Sequence, residues 1–416
     1  MIMKRFVLIA LAVAMLATLA SATFAATWYK VGTSGFTMAS SLINDSKRIR
    51  NGAIAADSAG NVYTTQFGAS GVTGLSIFKT NGTRLDVNIT GATGEASVTK
   101  MVRGGDGAVY ALCNWREIGW VYNKGINKVV KIDADGTVST VFAFATASDA
   151  NQLAGMTVGA DGNIYYTYTG SGDKYNMFWK YSVGAGTLTN LRPGVNNGWS
   201  DADRLVNLAA GPNGWFTIMN SGSSNWSQDV ISAAADRVAG NASNPGWGRD
   251  HATALEYDPI RNKIWMGARG GGNRLILSRW NDISSATGIA ASNDMWHALG
   301  SDADLGTNWW TSAMSLDGNG DAWMGFCAGN ATSDILGAKG HVVRYDAYLG
   351  INDEGAPDAT ANVVGLGYAN GGTYALVLTA DGNYDLYSTN PVPEPGSLLA
   401  LGTGLIGLIG MIRRRK

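Results

Sequence analysis

From residue 54 to residue 385, short apolar runs alternate with clusters of Asp, Gly and Asn, the spacing of strands and tight turns. One pattern recurs: an apolar stretch, an Asp/Gly turn, then a stretch that opens on an aromatic. It runs from Ile54 to Tyr63 around Asp57 and Gly60-Asn61, from Met101 to Tyr110 around Asp106-Gly107, and from Met156 to Tyr165 around Asp161-Gly162-Asn163. It returns from Leu208 to Phe216 around Pro212-Asn213-Gly214, and from Leu255 to Trp265 around Asp258-Pro259 and Asn262. Two further copies run from Met314 to Trp323 around Asp317 and Gly320, and from Leu376 to Asp385 around Asp381-Gly382-Asn383, where the aromatic is displaced. The aromatics at 63, 110, 165, 216, 265 and 323 stand 47 to 58 residues apart.

A second signature, two apolar residues then a basic one, follows most hairpins: Ile77-Phe78-Lys79, Val129-Val130-Lys131, Phe178-Trp179-Lys180, Ile276-Leu277-Ser278-Arg279 and Val342-Val343-Arg344. The fourth unit lacks a clear copy, and the seventh has no chain left for one, because Pro391 comes soon after Tyr387. Trp28-Tyr29-Lys30-Val31 carries it at the other end of the chain. A repeat of about 50 residues suits a four-stranded sheet, which cannot cover both of its faces alone, so successive sheets must stack around a common axis. The expected fold is therefore all-β: a seven-bladed β-propeller over residues 27–390, closed by the N-terminal strand or strands. Closure removes open sheet edges. A β-helix, with much shorter rungs, is the alternative. The Asp-x-x-Gly-Asn-aromatic turn followed by apolar–apolar–Lys resembles the NHL-type propellers over about residues 28–390.

Composition agrees with a turn-rich β protein. The 416 residues include 56 Gly, 14 Trp and 16 Tyr, and Asp outnumbers Glu by 27 to 5, whereas helical bundles favour Glu, Lys and Ala. The formal charge of −1 becomes −7 once Lys4, Arg5, Arg413, Arg414, Arg415 and Lys416 are taken away, or −6 if Glu394 leaves too. An acidic body without a basic stripe excludes nucleic acid as a partner.

Both ends read as removable. Lys4-Arg5, an apolar run from Phe6 to about Ala20 and the small residues to Ala26 make residues 1–26 a signal peptide, with cleavage after Ala22 or Ala25. At the other end, Pro393-Glu394-Pro395 precedes an apolar segment from Gly396 to Ile412 and the cluster Arg413-Arg414-Arg415-Lys416. As a helix that segment is about 25 Å long, short for a bilayer crossing, with the basic cluster held in the cytoplasm. Residues 391–416 thus resemble the PEP-CTERM sorting signal of Gram-negative bacteria. The resemblance implies export, transient anchoring in the inner membrane through a C-terminal sorting helix, processing by an exosortase, and release to the cell surface or an exopolysaccharide matrix.

Candidate chemistry is sparse. Asp250-His251, placed just before the inner strand of the fifth unit, is the best acid/base pair. Seven-bladed lyases of the virginiamycin B type use His and Glu in a metal-dependent site, but no Glu-x-His pair occurs here, and Glu256 falls inside a strand pattern. No cofactor or metal is implied. The runs Asp133-Ala-Asp135-Gly136 and Asp317 to Asp321 leave weak Ca²⁺ binding open, although Asx turns explain them as well. Cys113 and Cys327 follow the aromatics of units two and six, too far apart in a ring to pair. Tryptophans between the strand patterns, namely Trp199 with Asp201, Trp247, Trp296, and Trp309-Trp310, offer flat faces for sugar rings. Blade packing is the other use of Trp. The expected function is a non-enzymatic surface or matrix protein that binds on one rim, with exopolysaccharide as a partner. A polysaccharide or lactone hydrolase or lyase, and a protein-binding scaffold, are the alternatives.

Overall fold

The computed structural model describes residues 26–37, 53–65, 73–89, 97–114, 116–117, 120–121, 127–143, 151–170, 178–191, 203–212, 214–221, 225–232, 237–242, 250–270, 274–281, 293–298, 309–328, 341–346, 350–358 and 360–391. Among these residues there are strands and turns and no helix. The strands form seven four-stranded antiparallel sheets and one small hairpin, Arg116–Glu117 with Trp120–Val121. We number the sheets by their first strands: Ile54–Ala56, Ser97–Arg103, Asn151–Val158, Asp203–Gly211, Asp250–Asp258, Trp309–Leu316 and Asn362–Ala369.

Six sheets are simple meanders. The seventh recruits its outer strand from the start of the chain: Tyr29–Thr37 pairs with Asn383–Ser388, with Tyr29 opposite Ser388 and Lys30 opposite Tyr387. Lys30 Nζ reaches Asp385 Oδ2 at 2.7 Å. In sheets one, two, three, five and six the apolar–apolar–basic signature lies in or at the end of the third strand, whereas Trp28-Tyr29-Lys30 opens a fourth. The turn Asp381-Gly382-Asn383 is likewise displaced. It joins the second and third strands of sheet seven, and the first hairpin of that sheet turns at Asn370-Gly371 instead. Both positions demand the same tight backbone, so turn chemistry alone does not tell them apart.

Side chains pack between sheets. Tyr63, Leu75, Ile77 and Val87 of sheet one meet Met101, Val109, Cys113 and Val130 of sheet two. Tyr110, Leu112 and Val129 meet Met156, Ile164 and Tyr166 of sheet three. Trp323 and Val342 of sheet six meet Val363, Leu366 and Ala375 of sheet seven, and Tyr374 and Leu386 meet Val62 and Phe78 of sheet one. Each first strand lies beside the first strand of the next sheet, and that of sheet seven lies beside that of sheet one.

The first hairpin turns also touch. Asn370 Nδ2 donates to Gly60 O at 2.8 Å, Ser58 N to Gly107 O at 3.0 Å, and Gly105 N to Gly162 O at 2.8 Å. Gly162 adopts φ 74°, and a Cβ on it would stand 2.9 Å from Gly105 Cα, so this approach of two backbones requires glycine. In a meander these turns share one end of the sheets with the third connections. The second connections and the sheet-to-sheet crossings lie at the opposite end.

Candidate functional site

The repeated turn is a small ionic unit. Its carboxylate occupies either the first turn position, Asp57 and Asp317, or the third, Asp106 and Asp161, and in each case it holds the aromatic that follows. Tyr63 Oη donates to Asp57 at 3.1 Å, Tyr110 Oη to Asp106 at 3.0 Å, Tyr165 Oη to Asp161 at 2.9 Å, and Trp323 Nε1 to Asp317 at 2.9 Å. In sheets two and three the basic residue of the third strand completes the unit: Lys131 Nζ is 2.9 Å from Asp106 and Lys180 Nζ 2.8 Å from Asp161. Burial opposes ionisation of Asp161, but hydrogen bonds from Lys180, Asn163 and Tyr165 outweigh it and hold the carboxyl well below the usual range. These groups satisfy one another, so the unit is structural.

Sheets five and six share a larger network. Asp258, fully buried, accepts from the backbone of Ile260 and Arg261 at 2.9 and 3.1 Å. Arg261 spans Asp258 at 3.2 Å and Asp321 at 2.8 Å; Arg344 spans Asp321 at 3.3 Å and Glu354 at 2.7 Å. Burial and the neighbouring Asp317 push the Asp321 carboxyl up, against the pull of Arg261.

The sequence-predicted acid/base pair sits elsewhere than expected. Asp250 and His251 open the first strand of sheet five and do not precede it. First strands carry a register shift against their second strands in sheets two to seven, for example Val98/Lys100, Leu153/Gly155 and Thr311/Ala313. Sheet five has a second shift, between Asp250 and Ala252, which leaves His251 as the extra residue. Such bulges re-aim a side chain and occur at rims. Trp309 and Trp310 are likewise in a strand, the first of sheet six, with Cys327 opposite Trp310, and Trp296 is in the fourth strand of sheet five, Asn293–Ala298. The sequence places these three tryptophans between strands, because consecutive apolar residues, Met295-Trp296 and Trp309-Trp310, break the apolar–polar alternation that marks a strand. The topology brings the starts of the first strands of sheets five and six to one end of the sheets. Trp199, Asp201, Trp247, Pro393, Glu394, Pro395, Arg413, Arg414 and Arg415 lie outside the described residues.

A pair not singled out by sequence reasoning lies on two first strands. Lys100 Nζ of sheet two is 3.0 Å from Glu256 Oε1 of sheet five, each side chain about a third exposed. Glu256 stands opposite Trp265 in register. The signal available was a Lys and a Glu at the interior of two first strands, Ser97–Arg103 and Asp250–Asp258, each with uncharged residues on both sides.

Among the described residues no group of three or more His, Cys, Asp or Glu side chains is arranged to hold a metal ion. Asp135 accepts from Thr137 N at 2.9 Å, and Asp317 from Asn319 N and Asp321 N at 2.8 and 3.0 Å, as in Asx turns. Cys113 is a buried free thiol, pushed up to about 12 by burial.

No curated protein sequence matches the chain. Solved structures resemble it in fold. A catalytically inactive virginiamycin B lyase from Staphylococcus aureus with quinupristin is 14% identical, with 82% of this chain and 96% of that one covered and a TM-score of 0.53. The Cps50 (Swd1) β-propeller domain of Myceliophteria thermophila is 9% identical, covering 87% and 99%, with a TM-score of 0.52. A fungal alcohol oxidase of the AA5 family in complex with copper is 10% identical, covering 88% and 76%, with a TM-score of 0.51. At such identities the likeness speaks for the fold alone. Residues 391–416 match the PEP-CTERM protein-sorting motif, which implies an exported protein of Gram-negative type processed by an exosortase. The chain thus joins a PEP-CTERM sorting motif to an all-β body with the fold of the β-propellers.

Proposed function

We propose that the mature protein is a seven-bladed ring, closed by the strand Tyr29–Thr37, that works as a non-enzymatic binding protein at the cell surface or in an exopolysaccharide matrix. The tail anchors it transiently in the inner membrane before an exosortase releases it. The pairing of Tyr29–Thr37 with Asn383–Ser388, and the succession of first strands from sheet one round to sheet one again, support the ring. One observation carries the binding reading: Asp250, His251, Trp309 and Trp310 stand at one end of adjacent sheets, on a chain marked for export. Trp, Asp and His residues at one end of the sheets suit a glycan, since aromatic rings stack on sugar faces and polar groups bond hydroxyls.

A glycan screen on the exported protein tests this. Binding to polysaccharide that falls at least tenfold in Trp309→Ala/Trp310→Ala, with folding retained, is the expected result. A blank screen with a protein partner retained would favour a scaffold. The second reading, a hydrolase or lyase on polysaccharide or a lactone, draws on the extra bulge that isolates His251 beside Asp250. Turnover abolished in a folded His251→Ala variant would establish it and overturn the binding reading.

A further inference from the structure

We propose that the chain is processed between Ala25 and Ala26, and that the new α-ammonium group of Ala26 docks on Glu354 to complete the buried ionic network of sheets five and six. The proposal rests on the reading of an exported chain and deepens it by naming the cut and its structural consequence.

Ala26 N lies 2.7 Å from Glu354 Oε2. Glu354 is 2% exposed, and its other carboxylate oxygen accepts from Arg344 Nε at 2.7 Å. Along the line Glu354, Arg344, Asp321, Arg261, Asp258, three carboxylates face two guanidinium groups. Among the described residues the line is one positive charge short, and it ends at the nitrogen of Ala26. Leaving net charge in a site withdrawn from water is unfavourable unless it is paired. A peptide N–H supplies a partial charge; an α-ammonium supplies a whole one, in a shorter and stronger charge-assisted bond.

The nitrogen is held there by more than Glu354. Trp28 Nε1 donates to Glu354 O at 2.9 Å, and its ring meets Trp323 edge-on at a centroid distance of 6.2 Å. Ala26 and Trp28 pack against the core between sheets six and seven. Ala25 and Thr23 are small, as a signal peptidase requires at −1 and −3. Hydrolysis of the Ala25–Ala26 bond takes up one water, leaves the carboxylate on Ala25 and gives the amine of Ala26 the proton that makes it cationic at neutral pH. Cleavage after Ala22 would leave Thr23-Phe24-Ala25 attached and the Ala26 nitrogen an uncharged amide.

The full chain is exported from a Gram-negative host and the mature protein sequenced from its N-terminus. Thermal midpoints are compared for wild type, Glu354→Gln, Ala25→Leu and the double variant. The expected mature start is Ala26. Ala25→Leu moves or blocks the cut, so its product keeps extra residues and melts several degrees lower, and Glu354→Gln lowers the midpoint less in that background than in wild type. The Ala26 amine also reacts slowly with an acylating reagent at neutral pH in folded wild type and at least tenfold faster in Glu354→Gln. A mature chain starting at Thr23, or an equal effect of Glu354→Gln in both backgrounds, overturns the proposal and leaves export standing. An exported-host product that retains Met1 overturns the export reading itself.

Discussion

The Lys100 ammonium group lies 3.0 Å from the Glu256 carboxylate, although 156 residues separate them and their sheets are not neighbours in the succession of first strands. The pair joins two first strands that do not lie beside each other. Since each side chain is about a third exposed, water screens the attraction, and a pair in that setting contributes about 0.2–1 kcal/mol. A double-mutant cycle on Lys100→Met and Glu256→Gln is expected to return a coupling in that range that shrinks between 0.05 and 0.5 M salt, by roughly half or more as the Debye length shortens. A coupling that ignores salt would place the pair in a drier setting than its exposure indicates.

Arg344 is a different case. It stands between two buried carboxylates, Asp321 and Glu354, and its ring-face contact with Trp323 is 5.6 Å to the centroid. Replacing it by Met leaves Asp321 to Arg261 and Glu354 to the nitrogen of Ala26, and breaking a buried pair from one side costs about 3–5 kcal/mol. Chemical denaturation of Arg344→Met is expected to show that loss, and Arg344→Lys to recover only part of it, because one ammonium cannot span both partners as a guanidinium fork does.

Acid should loosen sheet three through Asp161. Its folded carboxyl is held below the usual range, so the stabilisation is complete above the unfolded value of about 4 and is lost as pH falls through the folded one. Asp161→Asn is expected to flatten the stability profile below about pH 4. At neutral pH it should cost about 1 kcal/mol, a figure discounted because the side chain is 42% exposed. An unchanged acid profile in the variant would remove Asp161 as its source.

Cys113 should be silent to thiol reagents. Its sulfur is wholly buried among Met101, Val109, Ala111 and Val130, and burial holds it as the thiol. In a Cys327→Ala background the native protein is expected to react only at its unfolding rate, which stopped-flow thiol titration measures. Cys113→Ser, which places a hydroxyl in that apolar pocket, should cost about 1–3 kcal/mol.

Local chemistry made most of the fold readable. Gly60, Gly107, Gly162 and Gly320 adopt positive φ in turns where only Gly or Asn sits comfortably, so the hairpins announce themselves residue by residue. The candidate site was less legible. Asp250, His251, Trp309 and Trp310 were found as residue types but assigned to connections, because a bulged strand start breaks the alternation by which a strand is recognised.

Turn chemistry, the repeat of about 50 residues, the need of Trp28-Tyr29-Lys30 for a sheet to join and the sorting motif at 391–416 are all written into the residue order. These follow from φ preferences, period-two alternation and an uninterrupted apolar run, all of which act over a few residues. Tertiary structure alone decided that Lys100 meets Glu256, that Arg261 and Arg344 thread three carboxylates, and that the line ends at Ala26. Those partners are 10 to 328 residues apart wherever they cross between elements, and what sets them side by side is the arrangement of whole twisted sheets relative to one another, a geometry that no short window of sequence contains.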